Sequence, residues 1–182
     1  MKPNKGCTFE WTGHPFVDAG LVALLLITKK SEPEDLTEED IEKAVGFASD
    51  LYARKEWSSG HIHAMILPNS GILMANPSMS KSRTPERIKE NLFSLLKEQE
   101  DKSAPICEIC GRRHARSRPV YRSDFPLVGT GGVPNYFPSA KDGANICSHC
   151  LFLAQFMPLI VYRMRRLLII HTNPPDLMLK FH

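Results

Sequence analysis

Two C-x-x-C pairs, Cys107/Cys110 and Cys147/Cys150, are separated by 36 residues, and the chain between them is poor material for a packed core. Pro105, Pro119, Pro126, Pro134 and Pro138 recur through residues 105–146, interspersed with glycines, which is too many breakers for regular helix or strand. A loop-rich stretch of that length needs a cross-link to order it. A structural zinc ion contributes on the order of 10–16 kcal/mol of apparent binding free energy, against about 2–4 kcal/mol for a typical disulfide. The two-residue gap lets one turn deliver two thiolates to one tetrahedral ion. Cys107, Cys110, Cys147 and Cys150 are therefore the expected ligands of Zn²⁺.

Local sequence supports the same reading. In "CEICG" a glycine follows the second cysteine, where a tight metal-binding knuckle turns through positive φ. In "CSHCLFLAQF" the second pair stands where a helix begins, so free backbone N–H groups can donate to thiolates. A knuckle followed by a helix describes a treble-clef-like site. The spacing exceeds the usual 15–20 residues of small zinc sites and implies an insertion. Disulfides fit a cytosolic chain poorly, a redox motif explains one pair but not both, and buried inert thiols rarely come as two such pairs. His114 and His149 are alternative ligands, while Cys7 stands alone.

The chain is 182 residues long, with 42% hydrophobic and 24% charged residues, the composition of a soluble globular protein with one substantial domain. Its longest apolar runs, "AGLVALLLI" and "LFLAQFMPLIV", fall short of the ~20 residues that span a bilayer. No membrane partner is expected and the location is read as cytoplasmic. A buried helix starts near Asp18 as N-cap, an amphipathic one follows Thr37, and a third opens at Thr84–Pro85 with Ile88, Leu92, Leu95 and Leu96 along one side. "HIHAMIL" (61–67) alternates like a strand and "NPSMSKSRT" (76–84) reads as a loop. A short helix after Cys147 should stop at Pro158, and "LIVY" with "LLIIHT" should form a hairpin returning to the core. The expected class is α+β, mixed helices and short strands with an inserted treble-clef-like zinc module. Residues 1–104 and 151–182 would form the α/β core and 105–150 the zinc-binding insert, as one structural unit.

Charge is unevenly distributed. Residues 1–100 hold 12 Lys/Arg against 15 Asp/Glu, whereas residues 101–182 hold 11 against 5, so the cysteine half is the basic half. Arg112, Arg113, Arg116, Arg118 and Arg122 follow the first knuckle. Guanidinium groups suit phosphate and base edges, and Tyr121, Tyr136 and Phe137 could stack on bases. Two arginines would suffice to offset the −2 charge of a zinc tetrathiolate; five point to a nucleic-acid surface. Lys81, Arg83 and Asn135 are further candidates for DNA contact, and the hairpin-turn Arg163, Arg165 and Arg166 are weaker ones.

Enzyme readings find less support. The cysteine layout resembles that of HNH nucleases, but those need a histidine between the pairs, and residues 115–148 contain none. "GTGG" (129–132) lacks the Lys-Ser/Thr of a phosphate-binding P-loop. His61 and His63 share one face of the expected strand without an evident carboxylate partner.

The succession "GHPFVDAGLVALL", "LPNS", "CEICG", "FPLVGTGGVPNYFP", "DGANICSHCLFLAQFMPLIV" and "LLIIHTN" resembles the N-terminal part of the large (Cas-eight family) subunit of the type I-B CRISPR interference complex, Cascade. The resemblance runs from about residue 11 to 173; members are usually much longer. It implies a non-catalytic subunit that contacts target DNA at the motif flanking the target, beside guide RNA-loaded Cascade backbone subunits, with a nuclease-helicase recruited in trans. Base pairing would read the sequence and protein the flanking motif. It also places the four cysteines at the family's zinc positions. The alternatives are an HNH-like metal-dependent nuclease and a zinc-ordered protein-interaction module.

Overall fold

The computed structural model describes residues 9–54, 56–57, 66–67, 69–74, 83–98, 101–129, 142–165 and 167–182. Among these the order is α1 (Pro15–Thr28), a 3₁₀ turn (Pro33–Asp35), α2 (Glu38–Ala53), α3 (Pro85–Lys97), α4 (Ser148–Ala154), a second 3₁₀ turn (Met157–Ile160), β1 (Tyr162–Arg163), β2 (Leu167–Leu168) and α5 (Pro175–Phe181). The class is α+β, helices with short strands, as the sequence indicates. The strand expected at 61–67, with His61 and His63, lies outside the described residues except for Ile66 and Leu67. Cys7, Lys81, Asn135, Tyr136, Phe137, Arg166 and most of "GTGG" lie outside them as well.

Helix α1 is apolar all round, and a helix of that kind belongs at the centre of a core. Val17, Ala19, Leu21, Val22, Ala23, Leu24 and Leu25 are all buried. Around it pack α2, α4, the second 3₁₀ turn and α5, while α3 joins α2 to α4. The helix begins four residues earlier than expected, because Pro15 takes a first-turn position that needs no N–H and His14 caps it, its Nδ1 accepting from the Phe16 N–H at 3.3 Å. Asp18 therefore sits inside the first turn, not at the N-cap. Its buried carboxylate reaches back to accept from the Thr12 and Gly13 N–H groups, both at 2.9 Å, and from the Thr12 hydroxyl at 2.8 Å.

Helix α2 starts as the sequence indicates, with Thr37 and Asp40 closing a reciprocal capping box. Ile41, Ala44, Val45, Ala48 and Tyr52 form its buried stripe. Helix α3 opens at Thr84, which accepts from the Arg87 N–H at 3.3 Å, and buries Ile88, Leu92 and Leu95.

After α4 the chain departs from the expected pattern. The helix ends at Ala154, four residues before Pro158, which instead occupies the second 3₁₀ turn. That turn consumes the apolar run intended for a strand, so the hairpin shrinks to Tyr162↔Leu168 and Arg163↔Leu167. Tyr162, Arg163 and Leu168 are exposed. The hairpin lies on the surface and does not return to the core.

The cysteine-bearing lobe and the helices share one hydrophobic cluster, in which Cys107, Val120, Phe125, Ile146, Cys147 and Cys150 pack with α1, α2 and α3. Phe9 stacks on Phe152 at 5.6 Å between centroids, inside this seam. Two polar ties cross it: the buried Tyr52 hydroxyl donates to the Gln155 carbonyl at 2.7 Å, and the Gln155 side-chain amide donates to the Asp124 carbonyl at 2.9 Å. Closest of all is Gly20. A Cβ there would stand 1.8 Å from the Leu153 carbonyl oxygen, so α1 and α4 meet backbone to backbone. Gly20→Ala must push them apart and should cost about 2–4 kcal/mol, read as a lower denaturation midpoint in urea at unchanged m-value. A variant as stable as the parent would show that the two helices do not pack this closely.

Candidate metal centre

The first cysteine pair is held by a small hairpin. An antiparallel bridge joins Ile106 to His114, the Cys107 N–H donates to the Arg113 carbonyl at 2.8 Å, and the Ala115 N–H donates to the Pro105 carbonyl at 2.8 Å. The turn between them closes at Gly111, at φ +64°, whose N–H donates to the Cys107 carbonyl at 3.0 Å. A left-handed residue at that point favours glycine. The knuckle foreseen from "CEICG" is therefore present.

The return strand is brought alongside it. Val120 and Ala144 exchange two backbone hydrogen bonds of 2.9 Å, which bring these two positions side by side. The Glu108 N–H donates to the Asn145 carbonyl at 2.9 Å, and the Arg116 N–H to the Ile146 carbonyl at 3.1 Å. These bonds deliver Cys147 to the N-cap of α4, with Cys150 in its first turn. Knuckle, return strand and helix together make the treble-clef-like arrangement.

The four sulfurs lie within 4.8 Å of one another, and Cys110 Sγ and Cys147 Sγ are 3.9 Å apart. A tetrahedral ion with metal–sulfur bonds of about 2.3 Å requires sulfurs about 3.8 Å apart. Backbone donors are already aimed at the cluster: the Cys147 N–H at Cys107 Sγ, 3.3 Å, and the Cys150 N–H at Cys147 Sγ, 3.4 Å. Hydrogen bonds from the Cys147 and Cys150 thiols hold the Cys107 thiol well below its ordinary value. The same bonds, with burial, push Cys147 up to about 12 and Cys150 higher still. The cluster resists collecting several negative charges alone, and a bound cation removes that resistance. Four soft donors at tetrahedral spacing can hold a metal ion. Neither alternative histidine joins them: His114 Nδ1 lies 2.8 Å from the Ala104 carbonyl, and the His149 ring packs against Phe9.

The arginines are not equivalent. Arg112 pairs with Glu10 at 2.8 Å and donates to the Trp11 carbonyl at 3.2 Å. Arg116 pairs with Glu98, which also accepts from the Ser148 hydroxyl at 3.2 Å. Arg113, half-buried, lines a small cleft with Cys110 and His149. Arg118 and Arg122 are exposed and have no ion-pair partner among the described residues. Arg83 is 9% exposed; its Nε donates to the Tyr52 carbonyl at 2.9 Å, and burial lowers its pKa. Sequence reasoning missed Glu10, Glu98 and Gln155, whose partners are remote in sequence and leave no local signature.

Residues 100–162, which contain both cysteine pairs and α4, match a family model described as "CRISPR-associated protein (Cas_CXXC_CXXC)". No curated protein and no solved structure matches the chain. The metal lobe is thus similar to a CRISPR-associated module with two C-x-x-C motifs. Among the described residues, no helix is long and apolar enough to cross a membrane.

A thiol raised above its ordinary value is protonated at neutral pH, so a metal must displace its proton and acid must compete with the metal. Loading the metal-free chain at pH 7 should release protons, those of Cys147 and Cys150 among them, and affinity should fall as pH falls. Calorimetry in buffers of different ionisation enthalpy reads the number. Cys107→Ser or Cys150→Ser should abolish stoichiometric metal; retention by both would dismiss the four-thiol site.

Proposed function

We propose that the chain is a zinc-ordered, non-catalytic component of a CRISPR effector that binds target DNA with the basic side of its metal lobe. The observation that carries this reading is the CRISPR-associated family match, which falls on the segment that gathers the four thiols. Zinc is the reading for the ion because it favours four-coordinate tetrahedral sites of cysteine thiolates. Cys107, Cys110, Cys147 and Cys150 would hold it. Bound there, it would tie the knuckle to α4 and complete no reaction.

The nucleic-acid role rests on Arg118 and Arg122, exposed on the lobe without ion-pair partners among the described residues. Arg112 and Arg116 support it indirectly, because their pairs with Glu10 and Glu98 fix the lobe against the helices. The finer form of the proposal follows the resemblance to the type I-B large subunit. The chain would read the flanking motif in duplex DNA, beside guide RNA-loaded backbone subunits in the cytoplasm, and leave cutting to a nuclease-helicase recruited in trans. Lys81 and Asn135 remain candidate contacts on this reading, whereas the Arg83 guanidinium is engaged inside the fold.

Elemental analysis of chain purified under reducing conditions should find one zinc per molecule, and iron in its place would change the assignment. Duplex DNA affinity should fall steeply with salt, and each of Arg118→Ala and Arg122→Ala should reduce the log–log slope by about one. Unchanged slopes would remove both arginines from the interface. Mg²⁺-dependent cleavage by the purified chain, lost on His61→Ala or His63→Ala, would favour the HNH-like nuclease instead.

A further inference from the structure

Away from the metal lobe, α1, α2 and the second 3₁₀ turn enclose an open groove of about 490 Å³. Leu26, Ile27, Phe47, Leu51, Leu159 and Tyr162 line it. Leu26, Phe47 and Tyr162 remain 41%, 52% and 39% exposed, although α1 is otherwise the most deeply buried element of the fold. The two polar side chains in the lining are already engaged. The Tyr162 hydroxyl donates to the Phe181 carbonyl at 2.6 Å, and His182 Nε2 lies 3.2 Å from the Ile170 carbonyl. The side chains left to meet an occupant are therefore apolar, and apolar groups are the better served there.

The rim narrows the occupant further. Lys43 precedes Phe47 by one helical turn and Arg54 follows Leu51 by one, so both border the apolar pair on α2. Lys29 caps the end of α1, three residues beyond Leu26. All three are exposed, and none has an ion-pair partner among the described residues. Asp50 is the opposing charge on the same stretch of α2, while Asp40 is already paired with Lys30 at 3.7 Å and bonded to Thr37. The border is net cationic.

From this geometry we infer that the groove docks an amphipathic helix of a partner protein, its apolar stripe between α1 and α2 and its flanking carboxylates on Lys29, Lys43 and Arg54. Two-helix walls around an apolar floor are the surroundings in which a third helix buries residues spaced i, i+3, i+4 and i+7. The cationic border selects acidic flanks and repels basic ones. The inference does not rest on the nucleic-acid reading, since it uses none of the arginines assigned there.

The test uses full-length, metal-loaded chain and a labelled, stapled helical peptide about five turns long, carrying a leucine stripe flanked by glutamates. A control peptide carries lysines in place of the glutamates. The glutamate peptide should bind at least about tenfold more tightly than the lysine peptide, and the difference should shrink with salt. Phe47→Asp and Leu26→Asp should each abolish binding; both positions are exposed, and a thermal melt confirms the fold. Lys43→Glu with Arg54→Glu should reverse the peptide preference, while Arg118→Ala with Arg122→Ala should leave it unchanged. Equal binding of the two peptides, or none to a folded chain, would overturn the inference. So would concentration-dependent self-association lost in Phe47→Asp, which would make a second copy the occupant, or loss of duplex DNA affinity in the same variant.

Discussion

Four sulfurs drawn from two turns far apart in sequence lie within 4.8 Å of one another, and this convergence organises the basic half of the molecule. The segment between the pairs has too many breakers to pack alone. Among its described residues the backbone is tied by cross-bonds, Val120 with Ala144, Glu108 with Asn145 and Arg116 with Ile146. Three of the four thiols are buried and share the hydrophobic cluster of α1, α2 and α3. The metal centre is therefore a corner of the core, and the order of the lobe is coupled to that of the helices.

That coupling is reinforced at short range. Gly20 lets the backbones of α1 and α4 touch, so the helix that presents Cys150 is seated on the most buried helix of the chain. The buried Gln155 links Tyr52 of α2 to the carbonyl of Asp124 in the lobe. Its backbone carbonyl accepts from Tyr52, while its side-chain N–H groups donate to the Asp124 and Leu151 carbonyls, both at 2.9 Å, so one residue fixes the orientation of three segments. Loss of the metal would consequently be felt beyond the cysteines.

Charge is arranged by the same fold. The arginines that follow the knuckle look alike in sequence, yet Glu10 and Glu98 engage Arg112 and Arg116 and leave Arg118 and Arg122 facing outward. Three more exposed cations, Lys29, Lys43 and Arg54, stand within a helical turn of residues that line an apolar groove. The two surfaces differ in chemistry, one cationic and polar, the other apolar with a charged edge. They suit partners of different kinds.

Local chemistry was legible in the sequence. The C-x-x-C spacing, the glycine after Cys110, the caps at Thr37 and Thr84 and the apolar periodicity of α2 and α3 each act over a few residues, and each appears where the sequence places it. Composition gave the burial of α1, because a helix without a polar face has no stable place but the interior. Its start was misread, since the Pro15 and Asp18 signals compete and only the hydrogen bonds to Thr12 and Gly13 decide between them. The length of the hairpin depended on where the 3₁₀ turn spent the apolar run. Which arginines are tied down, and where α1 stays uncovered, are properties of residues brought together from remote positions. No periodicity or spacing records such pairs, so tertiary structure alone decided them.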